Sequence, residues 1–79
     1  MDLDCLDPAF APGVGNPQPC GPSTRQTTEI LHGLNGLNIA AADIVECCPK
    51  YDPDSKTTAF TAAILIKELM GLMTESSIR

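Results

Sequence analysis

The stretch AFAPGVGNPQPCGP, residues 9 to 22, limits the fold more than any other part of the chain. It holds four of the seven prolines and three of the six glycines, so neither a helix nor a strand can run through it. The chain is thereby divided into a short segment before this loop and a longer one after it. With 79 residues there is one domain at most. A free-standing chain of this size buries only about 60% of its unfolded surface, and such chains commonly add disulfides, a metal or a partner.

Disulfides are the weakest of these options. Cys5, Cys20, Cys47 and Cys48 have no CxxC spacing, and neighbours such as Cys47 and Cys48 rarely bridge each other, so reduced intracellular thiols are expected. Neither end carries a basic-then-apolar leader, and no apolar run approaches the roughly 18 residues of a membrane span. A soluble chain with no membrane partner is expected. Five basic residues spread against ten acidic ones leave no electrostatic footprint for nucleic acid.

Around the loop the pattern reads as alternating strands and helices. MDLDCL suits a short strand ending at Asp7-Pro8. Ser23 opens a helix, with Gln26 three residues later completing a capping-box pattern. Ile30, Leu31, Leu34 and Leu37 give that helix one apolar stripe, and Gly33 and Gly36 end it. NIAAADIVECC is apolar nearly throughout and closes at Pro49, which suits a strand buried on both faces and hence a parallel sheet. After KYDPDS a second helix is expected from about Lys56 to Met73, with Phe60, Ala63, Ile64, Leu65, Leu69 and Leu72 apolar. The polar tail TESSIR is expected to fray. The resulting βαβα order does not cover both faces of a sheet, so it reads as part of a larger α/β domain.

The acids of DLDCLD carry the chemistry. On a strand, residues two apart share a face, so Asp2 and Asp4 would project together with Cα atoms about 7 Å apart. Two converging carboxylates repel unless a proton or a cation lies between them, and a divalent metal with a taste for oxygen resolves this. Acids capping a strand end in water are the bland alternative. An EF-hand loop is excluded, because Leu6 stands near the place of the required glycine and Pro8 follows. A DxDx(T/V) phosphotransfer motif would need Thr or Val at Leu6 and stays as a weaker reading.

The longer string DLDCLDPAFAPGVGNP resembles the second metal-binding signature of the ureohydrolases, the arginase and agmatinase family, whose pattern is D-x-D-x-x-D-P-x-x-x-P-x-x-G-x-P. Agmatinases commonly read DIDCLDPAFAPGTGTP here. The resemblance continues through the helix, DIVE and the YDP turn, and covers about the whole chain. It implies an arginase-like fold, a three-layer parallel-sheet α/β architecture of which residues 1 to 79 form the C-terminal βαβα segment.

The resemblance also implies a reaction and a set of roles. In the family, two Mn ions share a bridging hydroxide that attacks a guanidinium carbon, giving urea and an amine. By the match Asp2 bridges both ions and Asp4 binds one, whereas Asp7 is a structural brace of the turn before Pro8. Glu46 matches the glutamate that holds the guanidinium by charge-assisted hydrogen bonds. A right-handed crossover through the helix places the ends carrying Asp4 and Glu46 on the same sheet edge, an independent reason to put a cationic substrate between them. Val14 and Asn16 replace threonines common in the family, and Asn16 keeps hydrogen-bonding capacity toward substrate. Cys20-Gly21 replaces a Gly-Gly pair.

CLDPAFAPG is closer to agmatinases than to arginases, which implies agmatine as substrate, converted to putrescine and urea, with guanidinobutyrate and other guanidino compounds still open. The family's GxxHxxG-like histidine and DAHxD-like cluster are absent from this chain, and Met1 stands where the family has an apolar residue inside a buried strand. A fragment or truncated product, inactive alone, is therefore expected. The competing reading is a catalytically dead remnant, or a regulatory module that docks on full-length subunits through an exposed sheet edge. The resemblance further implies a homo-oligomer for the full-length enzyme and a cytoplasmic or mitochondrial setting. His32 has no carboxylate at ligand spacing along its helix and reads as a surface or packing residue, and Gly13 and Gly15 read as loop turns, since no GK(S/T) follows.

Overall fold

The computed structural model describes residues 1 to 78, with the side chains from residue 75 onward outside the description. Four short or long helical elements follow one another: a 3-10 turn at Leu3–Cys5, helix α1 at Thr24–His32, a second 3-10 turn at Pro49–Tyr51, and helix α2 at Thr57–Ile78.

Helix α1 begins where its capping chemistry requires. Ser23 accepts from the Gln26 backbone N–H at 3.0 Å, and Gln26 Oε1 accepts from the Ser23 N–H at 2.9 Å. These reciprocal bonds satisfy two donors at or beside the helix start that have no intrahelical acceptor. Gly33 caps the other end, its N–H reaching back to the Glu29 carbonyl. The helix stops at the first of the two glycines expected to weaken and end it, so Leu34 and Leu37, expected on its apolar stripe, lie in the turns beyond it.

Helix α2 lacks a capping side chain at its threshold residue, Lys56, whose φ of 60° also lies in the left-handed region. Asp52 supplies the cap from further back: its carboxylate accepts from the N–H groups of Thr58 at 2.9 Å and Ala59 at 3.1 Å. The helix continues to Ile78, past the expected end at Met73. Most of the TESSIR tail is therefore helical backbone, and Arg79 lies outside the described residues. The two helices pack on each other through Leu31 of α1 and Leu65 and Leu72 of α2, all buried. Leu3, Leu6, Ala11 and Val14 from the N-terminal segment and loop complete this core.

The two expected strands are not formed among the described residues. The first is replaced by the 3-10 turn at Leu3–Cys5, and the two segments meet in a single parallel bridge between Asp2 and Val45. The Leu3 N–H donates to the Val45 carbonyl at 3.1 Å and the Val45 N–H to the Met1 carbonyl at 2.9 Å. The parallel sense fits the right-handed crossover through α1. A ladder needs further neighbours to extend, and among the described residues each segment has only the other. The expectation of a strand buried on both faces fails for the same reason: Val45 is 42% exposed and Ala40 to Asp43 are exposed.

The apolar surface of α2 is only partly used. Leu65 is fully buried, whereas Phe60 is 67% exposed. The window Thr57–Thr74 is, by length and composition, apolar enough to cross a membrane, with a mean hydropathy of 1.2. This corrects the expectation that no stretch approaches that limit. A count of unbroken apolar residues stops at Lys67 and Glu68, whereas an average over a helix tolerates two charges.

Candidate metal and substrate site

The two carboxylates singled out in DLDCLD are brought together, by a turn rather than by a strand face. Asp2 is the N-cap of the 3-10 turn, and its Oδ1 accepts from the Asp4 N–H at 2.8 Å. Asp4 is partly buried, and its Oδ1 is inaccessible to solvent with no hydrogen-bond partner. A carboxylate oxygen without water or a donor is costly, and a bound cation is the simplest way to satisfy it. Neither carboxylate has an ion-pair partner among the described residues, whose ion pairs are Met1 ammonium with Asp43 and His32 with Glu68. The donor set is oxygen only, which suits Mn, Mg or Ca. Among the described residues no three His, Cys, Asp or Glu side chains converge, so Asp2 and Asp4 provide part of a coordination shell.

Asp7 is bound to protein instead. Its Oδ1 accepts from the Ala9 N–H at 2.9 Å and its Oδ2 from the Cys20 N–H at 3.0 Å, so one carboxylate ties both ends of the proline-rich loop. Its backbone N–H donates to the Pro22 carbonyl at 3.0 Å. Gly21 passes so close that a Cβ there would collide with the Cys5 carbonyl oxygen and stand 2.8 Å from the Asp7 nitrogen. The preceding residue, Cys20, adopts a φ of 69°, a conformation glycine accepts freely and other residues at a cost.

Glu46 follows the bridge residue Val45 and is exposed. Its φ is 72°, in the left-handed region where a glutamate is strained. Strained backbone of this kind persists where surrounding contacts impose it and clusters at functional sites. A Cβ placed on Gly15 would stand 4.0 Å from Glu46 Oε2, so the carboxylate lies against the loop that carries Asn16. Asn16 itself is exposed, its Oδ1 3.3 Å from Gln18 Nε2. The structure therefore joins Asp2 to Asp4 and Glu46 to the Asn16 loop, and links the two pairs through the Asp2–Val45 bridge.

Three features escaped the sequence reading. The loop is latched to α2 by Gly13 N–H donating to Thr58 Oγ1 at 2.6 Å and by Thr61 Oγ1 donating to the Phe10 carbonyl at 2.8 Å. Asp52 sits behind that latch. Burial is the largest influence on its carboxyl and pushes its pKa up, but hydrogen bonds from the Thr58 backbone and hydroxyl and the Ala59 backbone, with the Lys56 charge, outweigh it and leave the pKa below the usual value. An aspartate followed by proline and then a Thr-Thr helix start was the available signal. Thirdly, His32 does have a carboxylate partner, Glu68 of α2, with Nε2 and Oε2 2.6 Å apart. That partner is 36 residues away, so spacing along α1 could not reveal it.

The arginase family model matches residues 1–71, and the chain belongs to the arginase family. It is 45% identical over 73 residues to an agmatinase of Chromobacterium violaceum, covering 92% of this chain and 22% of that protein. It is 42% identical over 72 residues to the human mitochondrial guanidino acid hydrolase, covering 91% of this chain and 20% of that one. Among solved structures, an X-ray structure of a hypothetical agmatinase from Burkholderia thailandensis superposes with a TM-score of 0.91 at 44% identity, over 99% of this chain and 25% of that one. The chain thus spans a quarter or less of the length of these proteins.

Proposed function

We propose that this chain supplies part of the active site of an agmatinase-like ureohydrolase: a carboxylate pair for manganese and the carboxylate that orients a guanidinium. The observation that carries the reading is the buried, unpartnered Asp4 Oδ1 inside the DxDxxDP motif. The left-handed backbone of Glu46 beside Gly15 adds to it. The rest of the ligand set, including the family's histidine and DAHxD motifs, comes from residues outside this sequence, and these 79 residues are inactive alone.

In this reading Asp2 and Asp4 hold the metal. Bound manganese supplies Lewis acidity and lowers the pKa of water, providing a nucleophile at neutral pH. Glu46 binds the guanidinium N–H groups by charge-assisted hydrogen bonds, and Asn16 offers a further contact from the loop. Water adds to the guanidinium carbon, the bond from that carbon to the alkyl-bearing nitrogen breaks, and the amine leaves with a proton. With agmatine the products are putrescine and urea. Agmatine is favoured by CLDPAFAPG and by the agmatinase similarity; a guanidino acid is the second candidate, given the similarity to the human hydrolase. The Asp2–Val45 bridge is read as the meeting point of two strands of a parallel sheet that further neighbours complete, with α2 packed on its face. A homo-oligomeric, cytoplasmic or mitochondrial enzyme follows from the family.

Manganese titration of this chain tests the carrying observation. One weak site is expected, seen as a rise in thermal midpoint with added Mn. Asp4→Asn is expected to raise the metal-free midpoint, by removing an unsatisfied buried charge, and to abolish the response to Mn. An unchanged Mn response in Asp4→Asn contradicts the assignment.

A further inference from the structure

The candidate guanidinium site is built from two pieces of chain with no common element, the loop containing Gly15 and Asn16 and the segment containing Glu46. Both converge on Gly13. Its N–H donates to Thr58 Oγ1 at 2.6 Å, and its carbonyl accepts from the Cys48 N–H at 2.7 Å, two residues beyond Glu46. Thr58 is completely buried in the first turn of α2. Its hydroxyl accepts from Gly13, and its own N–H donates to the Asp52 carboxylate that caps α2. Gly13 is thereby tied through its N–H to the capped first turn of α2 and through its carbonyl to the segment that carries Glu46.

We propose that Thr58 is a positioning residue for guanidinium recognition, its hydroxyl setting the separation between the Gly15–Asn16 loop and Glu46. The inference rests on the ureohydrolase reading. Neither Asp2 nor Asp4 bonds to this chain of groups, and their neighbours are the Leu3–Cys5 turn and Val45. Loss of the hydroxyl therefore weakens binding of the guanidinium and leaves the metal carboxylates unaffected, a separation that a merely structural threonine would not produce.

The test is titration of the full 79-residue chain with agmatine into the tens of millimolar, followed through the amide resonances of Gly15 and Glu46, alongside Mn titration. Thr58→Val, isosteric but without the hydroxyl, is expected to weaken agmatine binding about tenfold, the cost of an unpaired buried N–H. Thr58→Ser is expected to restore it, and Mn affinity is expected to stay constant through the series. If Thr58→Val does not fold, Asp52→Asn takes its place, weakening the cap that holds Thr58 in the first turn of α2; several-fold weaker agmatine binding at constant Mn affinity supports the proposal. Unchanged agmatine binding in the variant that folds overturns it, as does a parallel loss of Mn and agmatine affinity. Absence of agmatine binding by the unsubstituted chain overturns the assignment of Glu46 and the Gly15–Asn16 loop as a guanidinium site within this chain, and the positioning role with it.

Discussion

Gly13→Ala places a methyl group where no space exists. The new Cβ would stand 2.8 Å from Asp52 Cβ, 2.9 Å from its Cα and 2.9 Å from its Oδ1. The first two atoms belong to the backbone or its first carbon and cannot swing aside, so the loop must lift from α2. Lifting it strains the bonds from Gly13 N–H to Thr58 and from Cys48 N–H to Gly13. Overpacking costs roughly 1–3 kcal/mol, and a weakened hydrogen bond up to about 1 kcal/mol each. Replacing glycine returns about 0.4–1 kcal/mol by restricting the unfolded chain. The net expectation is a destabilisation of about 2 kcal/mol, or a fall in Tm of roughly 8–16 °C for a domain of this size. Urea melts followed by circular dichroism read it directly, with Gly71→Ala as the control. A Cβ on Gly71 meets nothing within 4 Å, and the position is inside α2, so that change should stabilise by about 0.5–1 kcal/mol. A Gly13→Ala chain as stable as the parent would refute the contact between loop and helix on which the site geometry depends.

Two further outcomes follow from the same structure. Because hydrogen bonds hold the Asp52 carboxyl below its usual pKa, its contribution is complete above the ordinary aspartate range and is lost as pH falls through the lower folded value. Urea midpoints measured between neutral and acid pH should fall less steeply for Asp52→Asn than for the parent; identical slopes would contradict the capping role. Cys20→Gly should relieve a left-handed residue, a gain of roughly 1–2 kcal/mol partly offset by the unfolded-state entropy of glycine, for a net stabilisation of about 0.5–1 kcal/mol. Calorimetry showing a lower Tm would indicate a contact from the Cys20 side chain that outweighs its backbone strain.

What could be read from the residues was local. The S-x-x-Q cap of α1 and the absence of regular structure between Ala9 and Pro22 depend on atoms within a few residues of one another, whereas the bracing role of Asp7, which reaches 13 residues to Cys20, came from the family resemblance. What could not be read was set by distant partners. A strand exists only when its neighbours do, and the apolar run at residues 39 to 48 carried no information about whether they are present. Asp52 caps a helix that begins five residues later, across Pro53, which no capping pattern describes. Glu46 is marked by its match to the family glutamate, but nothing in DIVE announces its left-handed backbone. Exposed Phe60, Ile66 and Met70 show the same limit, since periodicity marks a face as apolar without saying what covers it.

Asp2, Asp4 and Glu46 are proposed as part of a manganese-dependent ureohydrolase site whose other ligands lie outside these residues. The most direct measurement is urea release from agmatine in the presence of Mn, with the chain alone and with a separately supplied segment carrying the GxxHxxG-like histidine and the DAHxD-like cluster. No release is expected from either piece alone, release is expected from the two together, and it is expected to be lost with Asp2→Asn or Asp4→Asn. Urea release by this chain alone, or undiminished release after Asp4→Asn, would contradict that assignment.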